Sequence, residues 1–212
     1  NVRFIGNVEF RQVMQVLTGL WIENRSLPGV ELNYGHFDRV KNVFAQQRQL
    51  DLDVFRAAWT WAPDNVLVGF AYLQDQAVTG QATGFADNGN RILGVRTNGA
   101  WPAGGWKLLY TGEFASQSAY GGGDPRIDAT YWRIGGGVGR GKTYVRADVD
   151  RLGSNDGRYA FQTPLGTNHL FQGWADQFLT TPAEGIRDRY VSAGTTWHDV
   201  QIHVEVHDFR SD

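Results

Sequence analysis

The residues best suited to chemistry in this chain are arginines and carboxylates that recur at every second position of several short stretches. Alternate positions share one face of a β-strand, so such side chains would converge on one surface. A planar guanidinium binds a carboxylate through two hydrogen bonds, and an arginine-containing lining would favour an anionic solute. The alternative is a set of solvated charges that compensate one another. The candidate lining residues are Arg39, Arg56, Arg96, Lys107, Glu113, Arg133, Arg146, Asp148 and Glu205.

The stretch GGVGRGKT, residues 136–143, matches the phosphate-binding pattern G-x-x-x-x-G-K-[ST]. That loop requires a helix after its lysine, whose first backbone amides point at the phosphates. The residues after Lys142, YVRADVDR, instead alternate with a period of two. We therefore expect a glycine-containing hairpin turn here, and no nucleotide site.

A second motif consists of His203, Glu205 and His207, which would lie on one face of a single strand. Two imidazoles in this arrangement could bind a metal with a third ligand from a neighbouring strand. Polar residues at every second position are, however, expected of any hydrated strand face. We expect no metal and no cofactor, and because no nucleophile, base or paired carboxylate set can be argued from spacing, we expect no enzyme.

The composition narrows the class of protein. Among 212 residues, 20 basic and 22 acidic side chains give a net charge of -2, with no basic stripe that could neutralise the phosphates of a nucleic acid. The absence of cysteine removes disulfides and thiolate metal sites. Abundant glycine, 27 residues, with 8 Trp, 8 Tyr and 12 Phe is typical of proteins built from strands and turns.

Turn signals divide the chain into strands of about 10 residues. Short turns are predicted near residues 24–29, 62–65, 101–105, 139–142 and 197–199, and longer polar connections near 41–52, 76–89, 119–126 and 153–186. Short and long links alternate along the sequence. This order predicts an all-β, antiparallel up-and-down meander of about ten strands.

Alternation of apolar and charged residues suits two architectures. In a soluble β-sandwich or barrel the apolar face forms the core, and the aromatic residues could bind carbohydrate. In a transmembrane β-barrel the apolar face contacts lipid, and the charged face lines the lumen. Strand length and five tryptophans close to the short turns favour the transmembrane barrel. Those tryptophans are Trp21, Trp61, Trp101, Trp106 and Trp197.

Several longer stretches are similar to the alginate export family of bacterial outer-membrane porins. They are NRSLPGVELNYGHFDRVKNVF, GWKLLYTGEFASQSAYG, YAFQTPLGTNHLFQGWADQFLTTPAEGIRDRYVSAG and VHDF. The resemblance covers most of the chain and is densest from residue 105 to residue 209. It implies a monomeric outer-membrane barrel whose arginine-rich lumen passes an anionic polysaccharide or small anions passively.

The resemblance also implies roles for particular segments. Family barrels are longer, so residues 1–212 are expected to form a single segment of an incomplete barrel, from the C-terminal half of the parent. Residues 154–186 are expected to form a long extracellular loop, able to fold into the lumen, with a short helical turn around 167–178. Its proposed constriction residues are His169, Trp174, Asp176 and Gln177.

Overall fold

The computed structural model describes residues 3–6, 14–75, 89–167, 170–173 and 177–212. These residues contain ten β-strands and no α-helix. Within the same ranges, no helix has the length and apolar character that crossing a membrane would require. The strands are β1 (Val16–Asn24), β2 (Val30–Lys41), β3 (Gln47–Ala62), β4 (Asn65–Asp75), β5 (Asn90–Ala103), β6 (Trp106–Ala119), β7 (Asp128–Arg140), β8 (Thr143–Leu152), β9 (Ile186–Trp197) and β10 (Val200–Ser211).

All ten strands belong to one antiparallel sheet, in which spatial order follows chain order from β1 to β10. The predicted meander and its five hairpin turns are therefore confirmed. The turns lie at residues 25–29, 63–64, 104–105, 141–142 and 198–199, all at one end of the sheet. A soluble sandwich would need a second sheet packed on the first, and the described residues form no such layer.

One connection differs from the sequence interpretation. Residues 41–52 were expected to form a long polar link, but β3 already begins at Gln47, so only residues 42–46 connect it to β2. The Asn42 side chain closes this turn, because its Oδ1 accepts hydrogen bonds from the backbone N–H groups of Phe44 and Gln46, each at 3.0 Å. Leu50 then extends the alternation of β3 as a buried residue.

The glycine-rich stretch 136–143 is a hairpin, as expected. Gly136 lies inside β7, and β8 begins at Thr143. Only Gly141 and Lys142 form the turn, with Gly141 in the left-handed region at φ 60°. No helix follows Lys142, so the backbone amides that would bind phosphate are used in the strand ladder instead.

The sheet has two chemically different faces. The face that carries Phe55 and Val204 is here called the outer face, and the face that carries Leu52 and Tyr131 is called the inner face. Val204 is 57% exposed and Phe55 45%, whereas Leu52 and Tyr131 are fully buried. Exposed apolar residues cover the outer face of most strands; they include Leu32, Trp59, Leu93, Val95, Phe114, Ile134, Val145, Val191 and Ile202.

The buried core lies between the inner face and two segments outside the sheet. Phe4, from the segment at residues 3–6, packs against Phe70, Tyr131 and Phe161, with ring centroids 5.3 to 5.8 Å apart. Phe161 belongs to the long connection between β8 and β9. The two segments also contact each other, because the Gly6 N–H donates to the Leu165 carbonyl at 2.9 Å.

Gln117 of β6 attaches the long connection to the sheet. Its Oε1 accepts the backbone N–H of Gln162 at 2.9 Å, and its Nε2 donates to the Gln162 carbonyl at 3.0 Å. The Tyr159 hydroxyl also donates to Gln117 Oε1, at 3.2 Å. Burial raises the pKa of Tyr159 above its ordinary value, so the hydroxyl keeps the proton that it donates.

The connection between β6 and β7 contains a local ion pair that predicts a pH response. The guanidinium and the backbone N–H of Arg126 both donate to Asp124, which lowers the pKa of that carboxyl from 3.8 to about 2. A depressed pKa means that the contact is present at neutral pH and is lost as pH falls through about 2. A carbon-13 NMR titration of the Asp124 carboxyl should give this midpoint.

The matched variant is Arg126→Gln, which removes the guanidinium but keeps the backbone donor. The midpoint of the Asp124 carboxyl should then rise toward 3.8, because the largest cause of the shift is the guanidinium hydrogen bond. An unshifted midpoint in the unmodified protein would contradict the ion pair.

Candidate functional site

Charged residues form a continuous row across the inner face. Arg96 of β5 lies opposite Glu113 of β6, and Glu113 lies opposite Arg133 of β7. Arg133 in turn lies opposite Asp150 of β8. Alternating signs on adjacent strands stabilise such a row, whereas like charges in the same positions would repel. The remaining candidate residues on this face are Arg56, Lys107, Arg146, Asp148 and Glu205.

Asp148 is the carboxylate around which two arginines converge. Its Oδ1 accepts a hydrogen bond from Arg133 Nη2 at 2.9 Å, and its Oδ2 accepts one from Arg146 Nε at 2.7 Å. The Asp148 side chain is fully buried, while the two arginine side chains remain 19% and 20% exposed. Arg146 also donates to Thr111 Oγ1 at 3.0 Å. The carboxylate therefore lies beneath the guanidinium groups, which face the open side of the sheet.

A second arginine site occurs nearer β2. Arg56 Nη1 donates to Glu31 and also to Asn33 Oδ1, the latter at 2.7 Å. The Arg56 side chain is about one quarter exposed. Lys107 lies close to the short turns and contacts Asp64 at 3.1 Å. Arg56 is thus held by a carboxylate and an amide of the same face, and Lys107 by a carboxylate of the adjacent turn.

Arg3 adds a buried charge that the strand pattern does not contain. Its guanidinium contacts Asp150 at 2.9 Å, and both side chains are nearly inaccessible to water. The guanidinium also lies over the rings of Tyr131 and Phe171, at 5.2 and 4.8 Å from their centroids. The segment at residues 3–6 is thereby fixed to the inner face by an ion pair and by cation–π contacts.

A cavity of about 530 Å³ opens on the inner face between these groups. Its walls combine guanidinium groups with neutral hydrogen-bonding side chains and one aromatic ring from the long connection. Charged and neutral polar groups of this kind can bind the carboxylate and hydroxyl groups of a small solute. The lining includes Arg96, Asn98, Thr111, Arg133, Arg146 and Phe171.

Arg39 is the exception among the candidate lining residues, and its expected position is wrong. Asp38 is an extra residue relative to β1, a β-bulge, because Thr18 pairs with Arg39 while the next residue, Gly19, pairs with Phe37. The bulge reverses the alternation, so Arg39 lies on the outer face and forms an exposed pair with Asp38. Strict alternation could not reveal this shift.

The proposed constriction residues lie mostly outside the described part of the chain. His169, Trp174 and Asp176 are not among the described residues. Gln177 is described and exposed. Within the helical turn expected around residues 167–178, positions 168–169 and 174–176 are likewise outside the described residues, so the constriction and the turn both remain predictions.

The histidines of this motif contact carboxylates of the inner face, and His207 forms a hydrogen bond. His207 Nδ1 lies 2.8 Å from Asp188 Oδ2, and His203 Nε2 lies 3.3 Å from Glu205. Among the described residues, one cluster has metal-ligand geometry, with the ligand atoms of His36, Asp51 and Asp53 within 4.8 Å of one another. It lies on the outer face, largely exposed, as acidic groups without an ion often do.

Sequence reasoning missed several residues of this site, among them Asp150, Arg3 and Phe171. Asp150 shares the alternation of Arg146 and Asp148, and its position in the charged row could have been inferred from the strand pattern. Arg3 and Phe171 belong to segments without a period, so no spacing places them against the sheet. Only the folded connections bring them to the inner face.

Comparison with known proteins gives a match at the level of structure. No protein-family model matches the chain, and no curated protein does. Among solved structures, OpdL of Pseudomonas aeruginosa is similar with a TM-score of 0.63 and 14% identity, over 90% of this chain and 58% of that one. OccD3 (OpdP) of the same species has a TM-score of 0.67 and 11% identity, over 93% and 48%.

A third similar structure is OccK2 (OpdF) of Pseudomonas aeruginosa in complex with glucuronate, with a TM-score of 0.61 and 10% identity. It matches 90% of this chain and 57% of its own length. The chain thus spans about half the length of these proteins. At such low identity the similarity establishes the fold, an all-β antiparallel meander shared with outer-membrane β-barrels.

The geometry around Asp148 predicts a large loss of stability when its charge is removed. Asp148→Asn should remove the one carboxylate that both Arg133 and Arg146 contact and lower the free energy of unfolding by about 3 kcal/mol. The control Asp38→Asn breaks an exposed pair and should cost about 0.5 kcal/mol. Urea unfolding of the protein in lipid vesicles, followed by tryptophan fluorescence, measures both. Equal losses would contradict the central role of Asp148.

Proposed function

We propose that the chain forms one side of a bacterial outer-membrane porin that passes small anions passively and carries out no reaction. The observation that supports this most directly is the contrast between the two faces of one sheet. Exposed apolar side chains cover much of the outer face, and arginines with buried carboxylates lie on the inner face. A lipid-facing surface and a water-filled passage require this arrangement.

Tryptophan positions support the lipid-facing role of the outer face. Trp61 and Trp101 pack together next to the short turns, with ring centroids 5.3 Å apart. Trp106, Trp197 and Trp59 are also exposed near this end. Aromatic residues form such belts where a barrel meets the lipid headgroups. Trp21 does not belong to this belt, because it pairs with Gly35 on the inner face.

Anion preference is expected because Asp148 and Asp150 are more deeply buried than the guanidinium groups of Arg133 and Arg146. The row contains nearly as many carboxylates as guanidinium groups, so net charge alone would give little selectivity. The Asp148 side chain is fully buried and that of Asp150 is 4% exposed, whereas those of Arg133 and Arg146 are 19% and 20% exposed. A solute in the passage would meet guanidinium groups first, which favours carboxylates.

The chemical class of solute that fits best is a small carboxylated sugar. The cavity presents guanidinium groups beside the neutral donors and acceptors Asn98 and Thr111, which suits a molecule with one carboxylate and several hydroxyls. OccK2, which has a similar structure, was crystallised with glucuronate. The sequence resemblance to alginate exporters suggests a longer uronate polymer, and the same groups could bind its repeating carboxylates.

The sheet is proposed to be part of a larger barrel. β1 and β10 are its two end strands, and an open edge within lipid would leave backbone groups without partners. The solved structures it matches are about twice as long. Further strands would close a monomeric barrel. The connection at residues 154–186 is proposed to be the extracellular loop, with His169, Trp174, Asp176 and Gln177 narrowing the passage.

A charge reversal tests the anion pore. In a planar bilayer with a salt gradient, the whole protein should show a reversal potential of the sign expected for anions. Arg96→Glu changes the lining charge by two, and at about 10 Å from a passing ion this corresponds to about 0.8 kcal/mol, or about a fourfold lower anion preference. The control Arg39→Glu makes the same change on the outer face and should have little effect. Cation preference in the unmodified protein would refute the proposal.

Solute size is tested by liposome swelling. Glucuronate should enter protein-containing vesicles faster than the neutral sugar glucose, because the guanidinium groups bind its carboxylate. A uronate trisaccharide that enters at a comparable rate would favour the polymer, and its exclusion would favour small solutes. Equal rates for glucuronate and glucose would contradict carboxylate recognition.

A further inference from the structure

Three arginines lie opposite one another on the outer face, at the end of the sheet away from the short turns. Arg187 of β9 pairs with Arg151 of β8 on one side and with Arg210 of β10 on the other. Side chains in directly opposite positions have Cβ atoms about 5 Å apart, and like charges so placed destabilise a sheet. We call these three residues the arginine row. Negative charge close to the arginine row is required to offset this repulsion.

The chain supplies that charge for only two members of the arginine row. Arg151 Nε donates to Asp212 Oδ1, and Arg210 Nε donates to Asp208 Oδ2 at 2.9 Å. Among the described residues, Arg187 has no carboxylate partner, and its Nε is buried without an acceptor. Both strands beside Arg187 are described, so its opposite residues are known to be arginines. Within the described part of the chain, the central cation is therefore uncompensated.

A fourth arginine, Arg189, increases the positive electrostatic potential at the arginine row. Arg189 lies on the same face two residues from Arg187, is exposed, and pairs with Asp208 of β10 and Val149 of β8. Four guanidinium groups thus share two carboxylates, those of Asp208 and Asp212. The excess positive charge calls for an anion with several acceptor oxygens, and a phosphate group meets that requirement.

The position of the row relative to the apolar surface indicates where such a phosphate would come from. From Trp197, beside a short turn, to Arg187 the strand rises about 33 Å. With the usual tilt of barrel strands this corresponds to about 25 Å across a bilayer, the height of an apolar belt. Exposed Val191 and Val206 lie on the outer face between these levels. The arginine row therefore borders the apolar surface on the side opposite the tryptophans.

We infer that the arginine row binds the phosphate headgroup of an anionic lipid, whose acyl chains lie along Val149, Val191 and Val206. A lipid fits better than free phosphate because the cationic and apolar surfaces are continuous. The headgroup phosphate bridges Arg187 to its neighbours and removes the repulsion within the row. This site rests on the proposed contact of the outer face with lipid, and it does not require that the inner face conducts anions.

Native mass spectrometry tests this site on the whole protein in detergent. Titration with dioleoyl phosphatidic acid should give a bound lipid that dioleoyl phosphatidylcholine does not replace at equal concentration. Arg187→Gln should weaken phosphatidic acid binding about tenfold, since it removes charge-assisted hydrogen bonds. The matched control is Arg91→Gln. Arg91 is exposed on the outer face opposite Leu73 and Ser118, so its loss should leave binding unchanged.

Several results would overturn the lipid site. They are equal binding of the two lipids, unchanged affinity in Arg187→Gln, an equal loss in Arg91→Gln, and displacement of the lipid by inorganic phosphate at the same concentration. The reversal potential separates this inference from the pore proposal, because Arg187→Gln should leave it unaltered. Failure of lipid binding with anion preference intact would refute only the lipid site. Retained lipid binding without anion conductance would refute only the pore.

Discussion

The two-residue alternation of side chains along the strands is the constraint on which the structure depends. Successive side chains point to opposite faces, so a slip of one residue would exchange the apolar surface with the charged one. Regular pairing of β7 with β8 keeps Arg133 and Asp148 on the face opposite Ile134 and Val149. One sheet can therefore contact two unlike environments without a second layer.

The inner face divides into two regions along the strands. Towards the long connections, Phe4, Phe161 and Tyr131 form a dry aromatic cluster that fixes the segment at residues 3–6 and the connection between β8 and β9. Towards the short turns, polar groups surround an open cavity. The Arg3–Asp150 pair lies within the packed region and so joins aromatic packing to the charged row. The connections thereby cover the apolar part of the inner face, while the arginine-lined part stays open as a cavity.

Sequence alone could predict the meander, because turn chemistry and alternation are local properties. It could also group most of the charged lining, since each of those residues follows the period of its own strand. The sequence did not reveal the bulge at Asp38, which moves Arg39 to the other face, because a bulge changes the register without a distinct composition. Arg3 and Phe171 were missed because their positions depend on tertiary packing. The arginine row could not be predicted either, because it depends on the pairing register of three strands.

The most direct test concerns the environment of each face. The chain has no cysteine, so single cysteines in β8 can carry a nitroxide spin label without further changes. In lipid vesicles, labels at Val145, Ala147 and Val149 should be relaxed mainly by oxygen, which concentrates in lipid. Labels at Tyr144 and Arg146 should be relaxed mainly by a water-soluble nickel chelate. The account would be contradicted if relaxation by oxygen and relaxation by nickel were strongest at the same positions of β8. Nickel access at the three outer positions would also contradict a lipid-facing outer face and an aqueous inner face.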